Sequence, residues 1–292
     1  MDYSLPIADF FVLRIKDYDE IIRLDSMDAT AYNDRGVAWA EQGNIVEAIA
    51  DYDEAIHLNP TYAVAYNNRG NARSVQGDLV GALADYDEAI RLNPTYADAH
   101  NNRGNARSAQ GDRVDALADY NEAIRLNPVY ATAYNNRANE HKAQGNLMGA
   151  VADYNKALEL SDRLPDKGKL IYRSLGDVYG QLEHWTEAKT AYQQALAFAP
   201  DNLLDWLSLA TAARHCADEA TLQTAFEQAQ RLLKEGDLYN RACLESVAGN
   251  TEQALDLLAQ AVAADPALKA QAQDDVGLFW VRTEPHFAEI VG

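Results

Sequence analysis

Residues 63–96 read AVAYNNRGNARSVQGDLVGALADYDEAIRLNPTY, and residues 97–130 read ADAHNNRGNARSAQGDRVDALADYNEAIRLNPVY. The two stretches are each 34 residues long and differ at only seven positions. Self-similarity at a fixed period of this length signals a stacked repeat, in which no single copy buries its apolar face alone. On the same ruler, full repeats begin at Ala29, Ala63, Ala97 and Ala131.

Two helices are predicted within each repeat. The first carries Tyr or His at its fourth position (Tyr32, Tyr66, His100, Tyr134) and Gly or Ala at its eighth (Gly36, Gly70, Gly104, Ala138). A turn follows at Gly43, Gly77, Gly111 and Gly145, where glycine tolerates positive φ after a helix end. The second helix carries Ala48, Tyr52 and Ala55, with Ala82, Tyr86 and Ala89 in the same places one period later. Spacings of four and three residues keep them on one face. Pro60, Pro94 and Pro128 stop the second helix.

This order of aromatic, small residue, turn glycine, small residue, aromatic, alanine and proline resembles the tetratricopeptide repeat family. The resemblance implies an all-α, right-handed superhelical solenoid of helix-turn-helix repeats. It further implies that the first helices line a concave groove that holds extended peptides.

Outside the regular repeats, residues 1–28 read as half a copy, because Asp17–Asp25 aligns with the second half of the next repeat. A helix over Ile7–Leu24 is expected, with Phe10, Phe11, Leu13 and Ile15 in need of cover from the first full repeat or from a second copy of the chain. Residues 29–164 form four regular repeats and residues 165–268 three divergent ones. Pro165–Gly168 reads as a four-residue insertion, where a change of curvature is expected. In the divergent part Glu183 stands in the turn-glycine position. Residues 269–292, with Leu278, Phe279, Trp280 and Phe287, read as a C-terminal capping helix.

The formal net charge of −20 repels phosphate backbones, so nucleic acid is not an expected partner. Residues 1–62 carry −9 and residues 235–292 carry −7, which leaves the middle nearly neutral. No apolar run is long enough to span a bilayer, so membrane insertion is not expected. Cys216 and Cys243 have no framework spacing and read as buried thiols of a cytoplasmic protein. Neither a metal motif, nor a phosphate-binding glycine loop, nor a nucleophile elbow is present, so neither an enzyme nor a cofactor is expected.

Asparagine is the feature that composition alone does not explain. The fifth and sixth positions of the first helices read Asn33-Asp34, Asn67-Asn68, Asn101-Asn102 and Asn135-Asn136. The ninth adds Asn71, Asn105 and Asn139. Three asparagines in one helix give up about 2 kcal/mol relative to alanine. A carboxamide offers both donor and acceptor and can pair with any peptide unit. The sixth-position series resembles the asparagine ladder of the repeat region of the O-linked N-acetylglucosamine transferase, and Asp34 departs from it. By that resemblance these asparagines are candidate peptide-binding residues, with specificity from Arg73, Arg107, His141 and Lys142. Arg35, Arg69, Arg103 and Arg137 are expected to bridge to Asp51, Asp85, Asp119 and Asp153 of the second helices. The expected function is a non-enzymatic scaffold or adaptor holding an extended peptide or partner protein. The alternatives are an assembly factor that self-associates through its terminal repeats as a homo-oligomer, or the regulatory subunit of an enzyme.

Overall fold

The computed structural model describes residues 7–160 and 165–292, and side chains from residue 14 to 160 and from 168 onward. Phe10, Phe11 and Leu13 of the expected N-terminal apolar set lie outside the described side chains. Among the described residues every regular element is helical. The chain divides into two compact units, Met1–Glu140 and His141–Gly292.

In the N-terminal unit, helix α1 (Ile7–Leu24) packs on α2 (Ala29–Glu41), and Ile15 is buried there. Ile15 is thus covered by the chain's own first full repeat. Helices α2 and α3 (Ile45–Leu58), α4 (Ala63–Val75) and α5 (Leu79–Leu92), and α6 (Ala97–Ala109) and α7 (Arg113–Leu126) form three antiparallel pairs, and α8 (Ala131–Ala143) begins the fourth. Each second helix also packs on the next first helix, α3 on α4 and α5 on α6.

Small residues let these helices approach closely. Ala48, Ala55, Ala82, Ala89, Ala116 and Ala123 are completely buried, and Tyr52, Tyr86 and Tyr120 fill the space between helices. A Cβ added to Gly70 would lie 2.7 Å from Cε1 of Tyr86, so Gly70 admits nothing larger unless that ring shifts.

The C-terminal unit contains α9 (Leu147–Leu160), α10 (Pro165–Gln181), α11 (Trp185–Phe198), α12 (Leu203–His215), α13 (Glu219–Leu232), α14 (Leu238–Ala248) and α15 (Thr251–Ala264). Helix α10 has 17 residues where α2, α4 and α6 have 13, so Pro165–Gly168 lengthens a first helix by about one turn. Turns keep left-handed backbone even without glycine: Glu183 sits at φ 59° and Ala217 at φ 51°. Cys243 is buried, as expected, but Cys216 is only partly buried because it caps the C-terminus of α12, and both thiols are free.

The chain ends in α16 (Leu268–Asp274), a 3-10 turn at Val276–Val281, and α17 (Pro285–Val291). Helices α16 and α17 pack on α15 and on each other, burying Phe287 and Val291. The 3-10 segment touches α15 and also reaches further. It lies across α14, α12 and α10, the first helices of the three divergent repeats.

Candidate functional site

The first helices of the N-terminal unit are joined by their asparagines. Asn68 Nδ2 donates to Asn33 Oδ1 (3.0 Å), Asn102 Nδ2 to Asn67 Oδ1 (3.1 Å), and Asn136 Nδ2 to Asn101 Oδ1 (3.0 Å). Within a helix, Asn67 Nδ2 reaches Asn68 Oδ1 at 3.5 Å and Asn101 Nδ2 reaches Asn102 Oδ1 at 3.3 Å. Asn33 Nδ2 ends the series on the Asp34 carboxylate at 3.0 Å. The amides thus form one directed chain from Asn136 to Asp34, and the aspartate that departs from the asparagine pattern is its final acceptor.

Burial separates the expected site residues into two sets. Asn33, Asn67 and Asn101 are 3%, 4% and 2% exposed, so they hold the array together. Asn68, Asn102, Asn135 and Asn136 are half-buried, while Asn71, Asn105 and Asn139 are exposed. Asn71 Oδ1 accepts from the Tyr86 hydroxyl (2.8 Å), and Asn105 Oδ1 accepts from Tyr120 (2.9 Å) and from Asn136 Nδ2 (2.9 Å). Each rung supplies two hydrogen bonds of about 0.5–1.5 kcal/mol. These offset the helix-propensity loss of about 0.7 kcal/mol per asparagine.

A second set of bonds reinforces the same joints. Arg69 donates through Nε and Nη2 to Asp85 (3.0 and 2.5 Å) and through Nη1 to Asp53 of the preceding repeat (2.6 Å). Arg35 does the same with Asp51 and Asp19, and Arg103 with Asp119 and Asp87. The own-repeat aspartates are as expected from sequence. The preceding-repeat ones were missed, although Asp19, Asp53 and Asp87 recur at the same period of 34. Arg137 finds Asn121 Oδ1 at that place (2.7 Å).

Arg73 and Arg107 also turn inward, each donating Nη1 at 2.8 Å to Asp85 and Asp119 respectively. Burial alone would raise the Asp119 carboxyl. The nearby His100 ring (Nδ1 at 3.8 Å), the hydrogen bonds from Arg103 and the charges of Arg103 and Arg107 outweigh it and hold the group below its ordinary value. Lys142, in the C-terminal unit, pairs with Asp177 at 3.0 Å, and His141 Nε2 lies 3.8 Å from Asp153. The residues expected to give specificity are therefore engaged with internal carboxylates, and Arg73 and Arg107 keep about a quarter of their side chains exposed (27% and 24%).

In the C-terminal unit the chain's own tail packs against the first helices beside a cavity of about 400 Å³ lined by Arg173, Asp177, Asp205 and Asp275 among others. His215, at the end of α12, lies between two indoles: Trp185 at 3.7 Å and an interplanar angle of 2°, and Trp280 at 4.3 Å and 23°. Phe279 meets both Trp185 and His215 edge-on. The Arg214 guanidinium stacks on Trp280 at 4.2 Å and donates to the Ser246 and Val247 carbonyls. Burial pushes the His215 pKa down to about 4, helped by the Arg214 charge. Asp275 anchors the start of the segment, accepting from the Tyr239 hydroxyl and from the Gly277 amide at 3.0 and 2.8 Å.

These features define a helical repeat array with polar joints, and comparison with known proteins agrees. Models described as tetratricopeptide repeat match residues 29–62 and 97–130, 51–84 and 129–201, and one described as TPR repeat matches 75–111. Together they span more than half of the chain, which therefore belongs to the tetratricopeptide repeat family. No curated protein sequence matches it.

Similar solved structures include one described as functional characterization of Pseudomonas aeruginosa pilF, at 20% identity and TM-score 0.64, covering 73% of this chain and 95% of that one. The APC/C hetero-tetramer Cut9-Hcn1 is similar at 15% identity and TM-score 0.63, over 85% of this chain and 45% of that one. YrrB, described as a TPR protein with an unusual peptide-binding site, is similar at 22% identity and TM-score 0.50, over 64% of this chain and 95% of that one. At these identities the likeness establishes the fold. Proteins of this family generally mediate protein–protein interactions and are typically non-catalytic scaffolds. Among the described residues no helix is long and apolar enough to cross a membrane.

Proposed function

We propose that this protein is a non-enzymatic scaffold that holds an extended segment of a partner protein against the first helices of its N-terminal unit. The observation that carries this reading is the unequal use of the asparagine atoms. The oxygens of Asn71 and Asn105 are engaged by Tyr86 and Tyr120, while their amide N–H groups bond to no described residue. Asn68 and Asn102 each direct one N–H to a neighbouring asparagine and keep the other. The exposed row is thus rich in donors, suited to the main-chain carbonyls of an extended chain, whatever its side chains.

The test keeps the fold while removing donors. In the double variant Asn71→Asp and Asn105→Asp, the carboxylates still accept from Tyr86 and Tyr120 but present only acceptors outward. Binding to an array of 15-residue peptides is expected to fall at least tenfold, with thermal stability changed by no more than about 4 °C. An unchanged binding profile, or a wild-type protein that binds no peptide on the array, overturns the proposal.

A further inference from the structure

The first helix of the first full repeat departs from its neighbours along one line of its surface. Positions six, nine and thirteen lie three and four residues apart, so they follow one another turn by turn on a single face. They read Asn68, Asn71 and Val75 in the second repeat and Asn102, Asn105 and Ala109 in the third. In the first repeat they read Asp34, Val37 and Glu41, a valine with a carboxylate one turn to either side. Val37 also lines a cleft of about 310 Å³ between the first and second repeats, together with Ala40, Ile45, Val75 and Glu41.

The charge around this cleft has one sign in excess. Glu41 accepts from Arg14 through one oxygen at 2.7 Å. Asp34 accepts from the neutral Asn33 amide, and no cation among the described residues pairs with it. The arginine of the same helix, Arg35, is turned to Asp51 and Asp19. Tyr52, another wall of the cleft, registers the excess: burial first, then the charges of Asp51, Glu41 and Asp34, push its hydroxyl above the ordinary pKa. Apolar walls favour a hydrocarbon stem over water, and carboxylates favour a positive head. Lysine and arginine carry both on one side chain. A carboxylate is repelled there, and an alkyl side chain leaves Asp34 without a counter-charge. We infer that this cleft anchors a basic side chain, lysine or arginine, of the extended segment that the N-terminal unit holds. The anchor rests on the proposed function, since its main chain lies on the asparagine row, and it adds a register. The same three positions carry no carboxylate in the second and third repeats, so the basic residue sits over the first and the rest of the segment is held by its backbone.

The test uses blocked 13-residue glycine-alanine peptides whose central residue is lysine, arginine, glutamine, norleucine or glutamate, titrated into the ¹³C-methyl-labelled full chain. The lysine and arginine peptides are expected to bind at least about tenfold more tightly than the glutamine and norleucine ones, with glutamate weakest and saturable shifts of the Val37 methyls. The preference is expected to shrink as salt rises from about 0.05 to 0.5 M. Asp34→Asn places at this position the residue of the next two repeats and still accepts from Asn33. It is expected to keep the melting temperature, to leave norleucine-peptide binding as it was, and to remove most of the preference for lysine. Equal affinities for lysine and norleucine, a preference that survives Asp34→Asn combined with Glu41→Gln, or shifts centred on Asp98 of the third repeat overturn the anchor. So does N-acetyl-lysine-N-methylamide binding as tightly as the lysine peptide, which would make the cleft a site for a free small cation. The two proposals fail separately. A norleucine peptide bound by the wild type and lost in Asn71→Asp with Asn105→Asp upholds the main-chain reading even where lysine brings no gain, whereas no binding by any peptide overturns both.

Discussion

The two units treat the same surface in opposite ways. In the N-terminal unit the first helices are tied by an amide chain and leave donors exposed. In the C-terminal unit the first helices α10, α12 and α14 are partly covered by residues of the chain's own tail, with His215 stacked between Trp185 and Trp280 and a cavity of about 400 Å³ left beside them. Identity among repeats and openness of the face go together, and the reason is physical. A hydrogen-bonded rung needs the same residue at the same place in every copy, whereas apolar packing on a tail accepts different side chains in each. The C-terminal repeats are divergent where they pack against the half-buried Phe279 and Trp280, and the N-terminal repeats are near-identical where they share amides.

The largest expected effect lies in the polar joints. Asp119→Ala leaves Arg103 and Arg107 without their buried carboxylate, and a loss of about 3–5 kcal/mol is expected in the N-terminal unit, read by denaturant titration. A loss below about 1 kcal/mol would show that Asp87 and solvent suffice for the two guanidiniums and that the contrast between units is overstated. Leu278→Ala tests the tail. Leu278 is fully buried, and about 2–5 kcal/mol is expected to be lost, with hydrogen exchange accelerating in α12 and α14 but not in α4 and α6. Uniform acceleration would mean that the two units do not respond separately.

Acid should separate them further. His215 has its pKa lowered to about 4 in the fold, against an ordinary value of about 6.5. Between those values the unfolded chain takes a proton that the fold refuses, so stability falls with pH and the contribution is lost below about pH 4. Discounting for partial exposure, a drop of about 1–2 kcal/mol is expected from pH 6.5 to 4, relative to a His215→Phe variant in the same buffers. The variant cancels the opposite trend of Asp275, whose carboxyl is raised by burial and therefore favours the fold as pH falls. Asp119, held low, keeps its contribution until the pH passes below the ordinary carboxylate value near 3.9. Equal pH profiles for wild type and His215→Phe would remove the aromatic stack as a source of the difference.

The smallest effect is a gain. Glu183 holds the left-handed turn that glycine holds at Gly43, Gly77 and Gly111, so Glu183→Gly is expected to stabilise the C-terminal unit by about 1 kcal/mol in thermal melts. No change would indicate that side-chain contacts of Glu183 compensate the backbone strain.

Much of this architecture was legible in the sequence because it is periodic. The spacing of Gly36 and Tyr52, repeated at 34, fixes a close approach that only one packing satisfies. The bridges from Arg35, Arg69 and Arg103 followed from charge pairing at a constant offset. What the asparagines bond to was not legible. Asn68 pairs with Asn33, 35 residues away, and nothing in composition distinguishes an amide facing a neighbour from one facing a ligand. The tail was visible as apolar, but its contact with α10 and α12 has no periodic signature.

The joints between repeats carry a consequence for how such a chain grows. Each copy brings both halves of two fasteners: Arg69 and Asn68 reach backward to Asp53 and Asn33, while Asp87 and Asn67 receive Arg103 and Asn102 from the copy that follows. A further copy of residues 63–96 spliced after Tyr96 would therefore meet its neighbours with fittings already matched on both sides. Length is an adjustable property of this half of the molecule, whereas the tail of the other half, tailored to particular rings on particular helices, fixes its size.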